Sequence, residues 1–355
     1  MTSGVAALPR ARGPVSAAVL DALRRDERRD FPELSEVAGE DPFGEDAQLA
    51  LQLCYELHYQ GLPGVDPDWE WDPELLRLRA ALERVFLAAL RAGTEGGDDV
   101  EDVLGELLTE PAGGTGISAF LAGEGEWWQL REYLVHRSIY HLKEADPHAW
   151  VIPRLRGKAK AALVAVEFDE FGGGRAERVH ARLYAELLAA AGLDPGYLHY
   201  LDRVPAAMLA VVNLMSLFGL HRRLRGALVG HFAAAEITTP PSAARLDRAL
   251  RRLGAPEACR VFFTEHIEAD AVHEQVMRRD VIGGLLADEP ALAADVVFGV
   301  QATNLVEDRF AAHVLGAWRE NRTSLLPGDQ DTGEAAWDSD REGPLTPGRR
   351  DRGKP

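Results

Sequence analysis

Cysteine is nearly absent. Cys54 and Cys259 are the only two in 355 residues, and neither has CxxC spacing. This argues against a disulfide framework, a zinc ribbon or a cysteine-held cluster, and it fits a reducing cytoplasm, the expected localisation. Aromatic residues make up only 7% of the chain, and stretches alternating β-branched or aromatic residues with polar ones are scarce, so little favours a sheet. Positive charge is also in short supply: 39 Lys and Arg face 57 Asp and Glu, a net charge of −18. Phosphate backbones and anionic lipid repel such a chain, so neither nucleic acid nor membrane is an expected partner. The basic cluster RRLR at 222–225 is too small to reverse this.

Long hydrophobic runs are missing as well. The most apolar segment, AAMLAVVNLMSLFGL at 206–220, is too short and too closely flanked by arginines for a membrane span, and it reads as a buried core helix. The amino terminus has no apolar core of signal-peptide length. There is no GxGxxG after a strand, no Walker loop and no GxSxG. Gly172–Gly174 lacks the strand and downstream lysine that a phosphate cradle needs, so no nucleotide or flavin is indicated.

What the chain does have is Ala, Leu, Glu and Arg in helical spacing, and the fold class expected is all-α. Residues 1–44, rich in Pro, Gly and charge, read as a flexible arm with one short helix near 16–26. Residues 45–124 read as an amino-terminal helical extension, with PELLRLRAALERVFLAALRA at 73–92 its clearest helix. From 125 to 325 the helices lengthen into the main domain. A helix reaching Glu236 is expected to end at TTPPS, with another following at 242–253. Residues 326–355 cannot bury enough apolar surface to order and read as a disordered tail.

The chemistry concentrates in His266-Ile-Glu-Ala-Asp270-Ala-Val-His273. At about 100° per residue, positions i, i+4 and i+7 share a helical face, so two imidazoles flank a carboxylate. That donor set suits a divalent iron, manganese or zinc ion; the alternative is an exposed acidic face. A dinuclear site needs further donors from facing helices. AVEFDEFGGGRAERVH offers Glu170 and His180, which an ideal helix would leave about 80° apart, so convergence requires the glycine run to distort the chain. Glu177, three residues before His180, is the rival and would mimic a ferritin-like ExxH. Glu170 is preferred because its surroundings are apolar, whereas Glu177 lies between Arg175 and Arg178. Glu236 is a lone carboxylate in the apolar HFAAAEI, which metal binding would explain. His58, His136, His141, His148, His221 and His231 read as packing or surface residues.

Taken together, Glu170, His180, Glu236 and HxxxDxxH at 266–273 resemble the haem-oxygenase-like di-iron oxidases and oxygenases, and the EFDEFGGG…H segment is similar to the iron-containing redox enzymes within that group. The resemblance covers roughly residues 125–321. It implies a haem-oxygenase-like helical bundle holding two non-haem irons and using O2 as co-substrate to oxidise a small organic substrate. The reactions of the group include N-oxygenation and oxidative C–C or C–H chemistry. It also implies an external electron donor, and it adds Glu144 as a further carboxylate by position, the alternative being a surface carboxylate beside Lys143. Pairing of two chains through an apolar helix face is left open. The competing readings are a ferritin-like iron-binding protein, a metal-free enzyme of the same fold, and a helical interaction module.

Overall fold

The computed structural model of the chain describes residues 8–25, 31, 37, 39–109, 114 and 116–328, except for the side chains of residues 268–271. Most of the expected tail, from 329 on, therefore lies outside the described residues. Within them the secondary structure is helical and no strand occurs, in keeping with the all-α expectation.

Local sequence explains most of the boundaries. The short helix expected near 16–26 is α1 (Pro14–Arg25), which lays Val15, Val19, Leu20 and Leu23 in the core. Its first N–H groups are satisfied from a distance: Asp46 accepts from Val15 at 2.8 Å and from Ser16 at 2.7 Å. Asp46 lies in the first turn of α2 (Glu45–Glu56). α3 (Pro73–Ala92) starts on Asp72, whose carboxylate accepts from the N–H groups of Glu74 and Leu75 at 3.0 Å, with Pro73 pre-set for the first turn. α4 (Val100–Leu108) is capped in the same way by Asp99. α5 (Gly116–Gly123) then leads into the main bundle.

The bundle comprises α6 (Trp127–His141), α7 (Gly157–Glu170), α8 (His180–Ala190), α9 (Ala206–Leu220), α10 (Arg225–Arg252), α11 (Val261–Val276) and α12 (Ala293–Arg319). α9 is apolar all round and almost wholly buried, which suits a central helix. Its Asn213 donates to the backbone and side-chain oxygens of Gln48, both at 2.8 Å, locking it to α2. No helix among the described residues is long and apolar enough to cross a membrane.

α10 differs from expectation. TTPPS does not end it; the helix runs on through Pro240 and Pro241. Those prolines supply no N–H to the carbonyls of Glu236 and Ile237, a penalty offset by burial of Ala243, Leu246, Ala249 and Leu250 beyond them. α10 and α12 pack backbone to backbone. A Cβ on Gly230 would stand 2.1 Å from the Val296 carbonyl oxygen, and one on Gly299 2.0 Å from that of Ala227. Only glycine permits this approach. α11 ends in a π-helical turn, Met277–Ile282, directly after the histidine-bearing segment.

Candidate metal centre

Each sequence-predicted donor sits at a position fixed by its helix. Glu144 lies in the turn after α6, Glu170 closes α7, His180 opens α8, Glu236 is mid-α10, and His266 and His273 lie two turns apart on α11. All six side chains are buried. They form two clusters, Glu144 with His180 and His266, and Glu170 with Glu236 and His273, and within each the donor atoms lie within 4.8 Å of one another. The side chain of Asp270 lies outside the described residues.

The glycine run brings α7 and α8 together. Gly172, Gly173 and Gly174 all have positive φ, at 76°, 61° and 80°. A Cβ on Gly172 would lie 2.7 Å from the backbone carbonyl carbon of Arg178 and the Val179 nitrogen. The chain therefore folds tightly onto itself, and His180 Nδ1 arrives 2.8 Å from Glu170 Oε2. Glu177 is exposed at the same turn, and neighbouring Arg178 reaches Glu265 instead.

Glu170 spans both clusters. Its Oε2 faces His180, while its Oε1 lies 3.6 Å from His273 Nδ1, which also stands 3.3 Å from Glu236 Oε2. The two α11 histidines are oriented by different partners. His266 Nδ1 lies 2.7 Å from the Phe262 carbonyl oxygen, which can only accept, so Nδ1 carries the proton and Nε2, 3.7 Å from Glu144 Oε1, keeps the lone pair that a metal would take. His273 Nε2 sits 3.2 Å from Asp169 Oδ2, an arrangement that protonates Nε2 and leaves Nδ1 facing the carboxylates. A carbonyl or carboxylate behind a histidine is the usual way a ligand's tautomer is set.

The donors fit a metal pair on chemical grounds. Three carboxylates and three imidazoles crowd into a buried space, and such charges persist there only when paired or coordinated. Electrostatics point the same way. Burial alone would raise the pKa of Glu144, yet His141, whose Nδ1 is 3.1 Å from Glu144 Oε2, and His266 hold it well below the usual range. In Glu167 burial dominates and, with the charges of Glu170 and Glu236, pushes the pKa up to about 9.

Two residues beside the cluster differ from the sequence reading: Glu167 was not singled out there, and His141 was read as a packing or surface residue. Glu167 and His141 each stand one helical turn before a predicted ligand, Glu170 and Glu144, and that three-residue spacing was the available signal. Lys143, on which the alternative of a surface carboxylate at Glu144 rested, is itself buried. It donates to Glu56 Oε2 on α2 at 2.7 Å, both side chains being fully inaccessible.

A cavity of about 360 Å³ opens onto the cluster. Tyr140, His141, Phe232 and Phe262 line it beside Glu144, Glu170, Glu236 and His266. Farther out, Arg137 holds Glu307 through two bonds of 2.8 and 2.7 Å. That bidentate pair keeps the Glu307 pKa low, although burial alone would raise it.

Comparison with known proteins finds one relative and one family. Nitrosourea synthase from Streptomyces achromogenes subsp. streptozoticus is 26% identical over 235 residues, which is 63% of this chain and 50% of that protein. The chain thus spans half the length of that curated relative. The family described as iron-containing redox enzyme matches residues 131–308, a stretch that contains all the donors named above. With half of its length matched and a haem-oxygenase-like all-α fold around the buried carboxylates and imidazoles, the chain belongs to the iron-containing redox enzyme family.

Proposed function

We propose that the protein is a non-haem di-iron oxygenase or oxidase that uses O2 to oxidise a small organic substrate. The observation that carries this reading is the pair of buried donor clusters, joined by Glu170 and opening onto one cavity. Glu144, His180 and His266 would hold one iron, and Glu170, Glu236 and His273 the other, with Asp270 completing the set through its i+4 spacing from His266. Bound iron would supply the redox chemistry with O2, drawing electrons from an external donor. The chain's own part is to fix the donors and exclude water. Phe262 orients His266 through its carbonyl, Asp169 orients His273, and Phe232 and Phe262 present apolar walls to the cavity. Oxidation at substrate nitrogen is favoured over C–H or C–C chemistry, because the relative is named for a nitrosourea product.

Anaerobic reconstitution with ferrous iron, followed by Mössbauer spectroscopy on exposure to O2, tests the proposal. The expected result is about two irons per chain, oxidised together. Uptake of many irons per chain, or no iron affinity, would overturn it.

A further inference from the structure

A chain with a net charge of −18 nevertheless builds a cationic face. Arg154 and Arg156 precede α7, Arg222 and Arg223 lie in the turn between α9 and α10, and Arg225 opens α10. The two segments meet where Arg154 donates to the carbonyl oxygens of Gly219 and, at 2.9 Å, Leu220. Both acceptors are neutral, so the charge of Arg154 stays unmatched. Burial and then the charge of Arg222 lower its pKa, as expected where like charges crowd. Arg225 binds Glu289, and the charges of Arg156 and Arg222 reach the same carboxylate.

The other nearby carboxylates are mostly taken. Asp280 pairs with Lys158 at 2.7 Å, and Glu83 is held by His221 and Arg79. Exposed Asp288, beside Gly157, opposes the arginines with a single charge. Arg156, Arg222 and Arg223 are exposed and form no ion pair among the described residues. Helix stability does not account for this placement. Arg156, Arg222, Arg223 and Arg225 stand at helix amino termini, the end at which the macrodipole disfavours a cation.

The face also lies at the outer end of a packed route to the cavity. Trp150, half-buried, rests against Gly219, where an added Cβ would stand 3.5 Å from the Trp150 Cβ. Two residues before it, His148 stacks on Phe232, with ring centres 4.1 Å apart and planes 9° from parallel, and Phe232 lines the cavity. Glu236, eleven residues along α10 from Arg225, lies about 17 Å from the face by helical rise.

We propose that this arginine face is the docking site of an acidic protein that carries single electrons to the iron pair. The role in electron delivery rests on the di-iron reading; the capture of an acidic partner does not. Such a carrier is repelled by the rest of an acidic chain and attracted here, so charge both speeds the encounter and selects its orientation. Each encounter passes one electron: the carrier leaves oxidised, one ferric ion becomes ferrous, and two encounters reduce the pair. A nucleic acid, as a long polyanion, meets the repulsion of the whole chain over more length than these arginines offset.

The test measures calorimetric binding of an oxidised plant-type ferredoxin, an acidic one-electron carrier, to the full iron-loaded chain. Arg222→Glu combined with Arg223→Glu should weaken binding at least tenfold, and added salt should erase most of the wild-type affinity. Arg319→Glu, exposed at the far end of α12, should leave binding unchanged. Reduced ferredoxin should reduce the ferric pair more slowly in the double variant. Dithionite, a small reductant that needs no docking, should reduce wild type and variant at equal rates. Absent ferredoxin binding, equal affinity of wild type and double variant, or an equal slowing with dithionite would overturn the inference. So would tighter binding of single-stranded DNA or phosphatidylserine vesicles through the same arginines. Iron stoichiometry is measured in the same samples. A chain that takes no iron yet binds ferredoxin through these arginines refutes the di-iron reading alone, and one that loads two irons but ignores the reversal refutes the docking face alone.

Discussion

Glu167 should make the metal-free protein lose stability as the pH rises, and replacing it with glutamine should abolish that loss. Its carboxyl is 2% exposed, neither oxygen has a hydrogen-bond partner among the described residues, and the charges of Glu170 and Glu236 lie nearby. In the folded protein it keeps its proton up to about 9, against an ordinary value of 4.5 in the unfolded chain. Below the unfolded value both states are protonated and the group is neutral in its effect. Above it the unfolded chain sheds the proton while the folded one does not, so stability falls until the pH passes the folded value. Each pH unit in that window is worth about 1.4 kcal/mol, so roughly 2.7 kcal/mol should be lost between about pH 6 and about pH 8. Urea denaturation of metal-free wild type and Glu167→Gln across that range measures the slopes, and their difference isolates this one group. Iron loading should shrink the wild-type slope by compensating Glu170 and Glu236. Parallel pH profiles for wild type and Glu167→Gln would refute the reasoning.

Glu170→Ala should bring bound iron below the wild-type amount in metal analysis, while Glu177→Ala, at an exposed position, should leave it unchanged. Gly172→Ala combines a φ of 76° with a Cβ 2.7 Å from backbone, so it should lower stability by about 1–2 kcal/mol or more and cut iron loading by displacing His180. Chemical denaturation and metal analysis of the one variant check both effects. Lys143→Met leaves the Glu56 carboxylate buried without its cation and should cost about 3–5 kcal/mol, part of which Glu56→Gln added to the same chain should recover in calorimetric melting.

How much was legible depended on how local each signal was. The helix at 73–92 could be bounded from sequence because Asp72 and Pro73 act within one turn of themselves. The run of α10 through Pro240 and Pro241 could not, because what sustains it is burial of residues beyond the prolines against other helices. At the site, His266 and His273 were legible as one face of a helix. Glu170 and His180 were legible on the condition that the glycines distort the chain, which the three positive φ values satisfy. Glu144 was reached only through family resemblance. Its neighbour Lys143 suggested a surface, and what buries Lys143 is a carboxylate 87 residues away, a distance at which sequence patterns carry no information.

The family match begins at residue 131, well after α2, yet the lysine adjoining Glu144 finds its counter-charge at Glu56. Cutting at the edge of the family match would strip a buried cation bare one residue from a proposed iron ligand, and would uncover the face of α9 that Gln48 holds through Asn213. Drift at position 56 would accordingly surface as a defect in metal loading, though no alignment confined to the matched stretch contains that position. The line along which ancestry is detected is not one along which the chain can be divided.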